Sequence, residues 1–298
     1  MLRSIVGTLI IIVLEDVSLV EATDTENRVS TKTASALHRF NRYEIKYLLD
    51  ETRLGALRER LKSRMLPDAY QSSEGASLVT SLYYDSQDLR CYWEKIEGLR
   101  FRRKLRIRVY GDPENITDDT IVYVEIKQRV NRVTQKRRIP LKYSDARILC
   151  DQRLVPENPD ARPAFVNEVL SFAQTLDLQP TAITSYHREA FVGVDADTGV
   201  RVTLDHRVRG RNRDFYLGAA AENQFIIPPH LAVVELKANE RVPAWFTDLA
   251  AEINLNTVRI SKYCQSVESH EHGARATQHA REFPEPLSPE KEDTAQLT

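Results

Sequence analysis

The stretch LRFRRKLRIRVY, residues 99–110, alternates with a single interruption. Leu99, Phe101, Leu105, Ile107 and Val109 share one parity, Arg100, Arg102, Lys104, Arg106 and Arg108 the other, and Arg103 breaks the pattern. A period of two marks a strand, whose successive side chains leave on opposite faces. The segment therefore puts a row of cations on one face of a sheet and apolar side chains on the other. Like charges on one face repel, so the row calls for an anion.

Outward from this strand, alternation predicts further strands at 39–49, 78–84, 121–129, 133–141, 181–194, 200–209 and 231–237. Short polar connections such as 111–115 and 130–132 make neighbouring strands antiparallel. Helical spacing covers 50–65, with Leu54, Leu57 and Leu61 on one stripe and Asp50 as its cap. It also covers about 161–176 and 243–253, and begins again at Ser261. The result is an α+β fold.

The same charged face recurs on the other strands. Arg42, Glu44 and Lys46 share a parity, as do Glu125, Lys127 and Arg129; Lys136 with Arg138; Tyr186 with Arg188; and Glu235 with Lys237. The 200–209 strand sets Arg201, Asp205, Arg207 and Arg209 against Val200, Val202, Leu204 and Val208. Two architectures satisfy this. One is an open sheet with its charged face in water. The other is an antiparallel barrel of about eight strands, charged inside and covered by helices, wide enough for one small ligand. Its lumen would be a phosphate conduit, since guanidinium and ammonium groups are the natural partners of phosphoryl oxygens.

The 298 residues carry 42 basic and 43 acidic side chains, net charge −1. There is no global pull toward nucleic acid, and the basic strand is a local concentration suited to a small, highly charged anion. Three scattered cysteines form no CxxC pair, which favours a reducing, cytoplasmic compartment. Glycine-rich nucleotide loops, GxSxG, HExxH and EF-hand patterns are absent from the sequence. Residues 5–14 are nearly all apolar, like the start of an export signal, and membrane association through residues 4–14 is one reading. Glu15 and Asp16 end the run short of the roughly 18 residues a span requires, so an upstream extension is favoured. Tyr83 and Tyr84 read as packing residues, Trp93 and Trp245 as anchors, and Arg58, Arg60, Lys62 and Arg64 as a solvated helix face.

The ordered series R-x-E-x-K-Y (42–47), S-L-Y-Y-D-S (81–86), K-L-R-I-R-V-Y (104–110), V-E-I-K-Q-R (124–129), Y-H-R-E-A-F (186–191), V-E-L-K (234–237) and S-K-Y (261–263) resembles the VTC polyphosphate polymerase domain, of the triphosphate tunnel (CYTH-like) superfamily. The resemblance covers about 38–269, leaving an apolar stretch and polar linker at 1–37 and a disordered tail at 270–298. It implies an antiparallel tunnel with a charged interior and outer helices. It further implies transfer of the γ-phosphoryl group of ATP onto a growing polyphosphate chain, with Mn²⁺ or Mg²⁺. By motif match, Lys46, Arg106, Arg108 and Lys127 would be catalytic. Arg42, Lys136, Arg138, Arg188, Lys237, Ser261 and Lys262 would line the phosphate path. Glu235 would be the metal ligand, with Glu44 and Glu125 as further candidates. Hydrolytic relatives open with E-x-E-x-K, whereas Arg42 stands at the first acidic position here, which favours polymer handling. No multi-span segment follows the domain in this sequence, so coupled transport would need a separate membrane protein partner. The alternatives are a metal-dependent triphosphatase or cyclase-type enzyme of the same superfamily, and a non-catalytic polyphosphate-binding module.

Overall fold

A computed structural model describes residues 42–68, 76–112, 115–131, 133–157, 162–239 and 241–270. The stretch and linker assigned to 1–37, including residues 4–14, and the tail beyond His270 lie outside the described residues. Among the described residues no helix is long and apolar enough to cross a membrane.

The eight long strands appear where alternation places them. They are β1 (Arg42–Asp50), β3 (Ser77–Asp85), β4 (Phe101–Tyr110), β5 (Ile121–Val130), β6 (Val133–Lys142), β7 (Gln179–Gly193), β8 (Arg201–Arg211) and β10 (Leu231–Asn239), with short β2 (Met65–Pro67) and β9 (Gln224–Phe225) between. All pair antiparallel in one sheet, in the order β1-β10-β8-β7-β3-β4-β5-β6; β2 pairs with β7 and β9 with β8.

The helices are α1 (Glu51–Lys62), α2 (Arg90–Ile96), α3 (Tyr143–Cys150), α4 (Pro163–Thr175), α5 (Ala244–Glu252) and α6 (Lys262–Glu268). Asp50 caps α1 by accepting from the Arg53 amide at 2.9 Å. Leu54, Leu57 and Leu61 bury the helix against β8 and β10, in a cluster that includes Val202, Leu204, Val234 and Phe246 of α5. The helix stops at Lys62, because the chain turns into β2 at Met65. On the other half of the sheet, α3 and α4 bury Leu149, Val166, Val169 and Phe172 against Leu105, Ile107, Val124 and Ile139. Both apolar clusters lie on the outer face. The three cysteines are buried and free.

The expectation of a closed barrel is corrected: the strand path is open, ending at β1 and β6. Its outer edges are already managed. Along β1, Thr257 bridges Tyr47, and the Val258 amide donates to the Lys46 carbonyl at 2.8 Å. On β6, Pro140 has no N–H to offer a further strand. The sheet nevertheless curls until charged side chains from its two ends meet: Lys127 of β5 lies 3.3 Å from Glu44 of β1. The concave face is thus a lumen bridged by an ion pair, between edge strand β1 and the next-to-edge strand β5, rather than by backbone hydrogen bonds.

Two features fill parts of that concave face. Val79, Tyr186, Val208, Ile226 and Val233 form an apolar cluster, joined by Leu48 and Ile260. Helix α6 packs across β7 and β8, where a Cβ on Gly210 would stand 2.5 Å from Ser266 Oγ, so only glycine permits the approach. Asp85, fully buried, ties this end together. It accepts from the amides of Ser86 (2.8 Å) and of Cys91 (2.7 Å) and Tyr92 (2.9 Å) in the first turn of α2, and from the Tyr263 hydroxyl of α6. The Asp85→Ala variant orphans those donors and should lose about 3 kcal/mol of stability, the cost of charge-assisted bonds left unmade. Urea unfolding measures this, and a loss below about 1 kcal/mol would remove Asp85 from this role.

Candidate functional site: a cationic lumen

The concave face gathers the predicted residues into three clusters, each organised by carboxylates. The first is carried by β1, β5 and β10. In register, Lys46 pairs with Glu235 and Glu44 with Lys237. Lys46 Nζ donates to the Ile260 carbonyl at 3.1 Å and lies 3.4 Å from Glu44. Lys237 lies 3.2 Å from Glu235, and Lys127 completes the group through Glu44. Burial works against the Lys46 charge, but Glu235 and Glu44 outweigh it and raise the pKa. Burial also dominates at Lys237, pulling it down to about 8 despite Glu235. Glu235 is held well below the usual carboxylate range by Lys237 and Lys46 against the cost of its burial.

The second cluster surrounds Glu125 on β5. Arg106 Nε donates to it at 2.7 Å, and Lys136 and Arg138 from β6 stand 3.4 and 3.8 Å away. Burial alone would raise the Glu125 pKa; Arg106, Arg108 and Lys136 overcome it and hold the group at about 2. Arg106 also donates to the Tyr83 hydroxyl at 3.0 Å. Arg108 is buried and donates to Ser81 Oγ at 3.0 Å and to the Tyr186 hydroxyl at 3.1 Å.

The third cluster is organised by Asp205 of β8, which has no exposed surface. Arg188 of β7 grips it with two parallel bonds of 2.6 and 2.7 Å, the fork geometry a guanidinium offers a carboxylate. Lys262, the first residue of α6, donates to the same carboxylate. Ser261 caps α6 by accepting from the Cys264 amide and also accepts from Lys104 Nζ at 3.5 Å. Lys104 lies 4.4 Å from the Tyr263 ring.

Every charged residue assigned by motif match whose side chain is described lies on this concave face. Arg42 opens β1 opposite Asn239, and its side chain lies outside the described residues. The three acidic candidates separate by role. Glu44 and Glu235 are diagonal neighbours across the β1–β10 register, whereas Glu125 is the counter-ion of two arginines and a lysine. Among the described residues no three His, Cys, Asp or Glu side chains gather as a metal cluster.

Two residues of the concave face escape sequence reasoning. Tyr83 reads as packing, and Tyr84 does pack outward, bonded to Asp151. Tyr83 packs too, in a buried cluster with Tyr92, Tyr263 and Val267, but on the concave side: burial would raise its pKa, yet Arg106 and Arg108 bring it down to about 8. Asp205 looks in sequence like one charge among the cations of its strand, and its role as anchor for Arg188 and Lys262 comes from two other elements.

The family model for the VTC domain matches residues 41–270. Subunit 4 of the vacuolar transporter chaperone complex is 28% identical over 226 residues in Trypanosoma cruzi, covering 65% of this chain and 28% of that protein. The Trypanosoma brucei brucei counterpart is also 28% identical over 226 residues, covering 64% and 28%. The chain therefore spans little more than a quarter of these relatives. Among solved structures, a candidate adenylate cyclase from Bacillus halodurans matches at 15% identity and TM-score 0.44, covering 73% of this chain and 92% of that one. The PH1819 protein of Pyrococcus horikoshii matches at 12% and 0.41, covering 77% and 99%.

The pKa directions in the lumen yield a test. As pH rises through about 8, Lys237 loses its positive charge and Tyr83 gains a negative one. Both changes weaken the hold on an anion. Tripolyphosphate affinity should fall by about tenfold between about pH 7 and pH 9, and the Tyr83→Phe, Lys237→Met double variant should flatten the profile. Calorimetric titration measures it, and a wild-type affinity constant across that range would contradict the assignment.

Proposed function

The chain belongs to the VTC domain family, and on that premise we propose that it moves the γ-phosphoryl group of ATP onto an inorganic polyphosphate chain held in the lumen. The observation that carries this reading is the charge balance of the concave face. Lys46, Lys104, Arg106, Arg108, Lys127, Lys136, Arg138, Arg188, Lys237 and Lys262 outnumber Glu44, Glu125, Asp205 and Glu235, and a polyanion supplies the missing negative charge.

In this reaction a terminal phosphate oxygen of the chain attacks the γ-phosphorus, a new P–O bond forms, the bond to the β,γ-bridging oxygen breaks, and ADP leaves. The attacking oxygen is already ionised, so no general base is needed. The protein supplies position and compensating charge. Glu125 and Asp205 hold Arg106 and Arg188 in fixed orientations, so their remaining N–H donors can address phosphoryl oxygens without first being ordered. Lys46, steadied by the Ile260 carbonyl, places its ammonium beside the Glu44–Glu235 pair as the contact for the transferred group.

Mn²⁺ or Mg²⁺ fits that pair. Glu44 and Glu235, diagonal neighbours in the β1–β10 register, offer the oxygen ligands a hard cation takes, and its remaining positions would go to phosphate oxygens and water. Glu235 and Glu44 would hold it, and when bound it would offset the charge on the phosphoryl oxygens. Glu125, occupied by Arg106, Lys136 and Arg138, serves the reading better as a counter-ion. ATP would be drawn from the cytoplasm, and passage of the product across a membrane would fall to a separate protein.

The test is the purified full chain with ATP and Mn²⁺, with ADP release and product chain length as readouts. Long polymer is expected. Free phosphate alone would replace the reading with a triphosphatase, and tight polyphosphate binding without turnover would replace it with a binding module. Lys46→Ala should cut turnover by about a hundredfold or more while leaving thermal unfolding unchanged; synthesis at the wild-type rate would refute the role given to Lys46.

A further inference from the structure

Strand β8 changes sides half-way along. Up to Asp205 its odd-numbered residues face the lumen. At Arg207 the backbone is left-handed, with φ of 49°, and pairing slips between Ser185 and His187 of β7, resuming as Ser185 with Arg209. Such a bulge inserts one residue and re-aims the rest of the strand. Val208 joins the lumen-side apolar cluster and Gly210 meets α6. The expected face of Arg201, Asp205, Arg207 and Arg209 is therefore split, and Arg207, Arg209 and Arg211 are sent to the outer face.

There they line a pocket of about 440 Å³ with Thr80, His187 and Asn223, roofed by the chain from Leu217 to Asn223. Arg211, 3% exposed, is used structurally: it donates to the carbonyls of Asp214 and Tyr216 and to Asn223 Oδ1, fixing the roof. Arg207 and Arg209 have no carboxylate partner among the described residues. Arg209 lies 4.2 Å from the Phe225 ring, and its Nε is buried without a hydrogen-bond partner. Thr80, 1% exposed, likewise buries an unpartnered Oγ1. Arg207 keeps its donors in water at the mouth, but the Arg209 Nε and the Thr80 Oγ1 are withdrawn from water and unanswered, which costs free energy unless a ligand supplies partners. Glu222 is the one carboxylate among the lining residues.

We propose that this outer pocket is a second anion site, separate from the lumen, for a small phosphate-bearing anion of the pyrophosphate class. The Arg207 and Arg209 guanidinium groups meet its oxygens and the Thr80 hydroxyl adds a hydrogen bond. Guanidinium forks match phosphate geometry, and the volume lies within the range of small-ligand pockets. The site stands independently of the lumen chemistry, because none of these three side chains faces that side.

Calorimetric titration of the full chain with pyrophosphate tests it. The wild type should show two classes of site. Arg207→Gly combined with Arg209→Gln should weaken one class by about tenfold or more and leave the other, as well as turnover of ATP, unchanged. Glycine suits the left-handed bulge position, so the first substitution removes the cation without straining the backbone. Lys46→Ala should weaken only the other class; if that class is indifferent to Lys46→Ala while the Arg207/Arg209-sensitive class persists, the lumen reading fails and this one stands. An independent readout on the unmodified chain is the His187 ring resonance, which should shift on adding pyrophosphate. A single class of site indifferent to the Arg207/Arg209 changes, or an unmoved His187 resonance, overturns the proposal.

Discussion

Two carboxylates with no exposed surface, Glu125 and Asp205, make the cationic lumen possible. Each sits on a strand among arginines and lysines that would otherwise repel one another through a partly dry interior. Burial penalises their charge, yet the guanidinium groups beside them win, and both are held as anions below the usual carboxylate range. In return they fix Arg106 and Arg188 in one orientation. A buried ion pair of this kind adds little net stability against an apolar alternative. Its use here is orientation: cations aimed at a common space before any ligand arrives.

The rest of the architecture serves that space. The outer face of the sheet buries ordinary apolar side chains under α1, α3, α4 and α5, which stabilise the fold. The inner face is relieved of much of that duty and can carry charge. Because β1 and β6 do not pair, the curl is completed by Lys127 and Glu44, so the two ends of the sheet meet through the very residues proposed to act on phosphate. Helix α6 then brings Ser261 and Lys262 in from the carboxyl-terminal side, anchored by Tyr263 on Asp85.

Much of this is legible in sequence because a strand's period of two survives without any tertiary information. The eight long strands, α1 and the charged face all come from it. The failures have local physical causes. Helix α2 is a single short run capped from a distance by Asp85, with Leu89 in a left-handed conformation before it, so no usual start signal precedes it. The bulge at Arg207 inverts parity for the rest of β8, and no glycine announces it. Closure of the sheet depends on edges, which alternation does not describe. Tyr83 and Asp205 acquire their roles from residues on other strands and on α6, contacts that exist only once the sheet has curled.

The lumen holds its cations close together ahead of their ligand, a strain that a polyanion should relieve. The most direct measurement is thermal unfolding of the full chain at low salt with phosphate, pyrophosphate and tripolyphosphate in turn. Tm should rise with each added phosphate unit, and the rise should shrink as salt screens the lumen. A Tm unmoved by tripolyphosphate at low salt would contradict a lumen built to hold a polyanion.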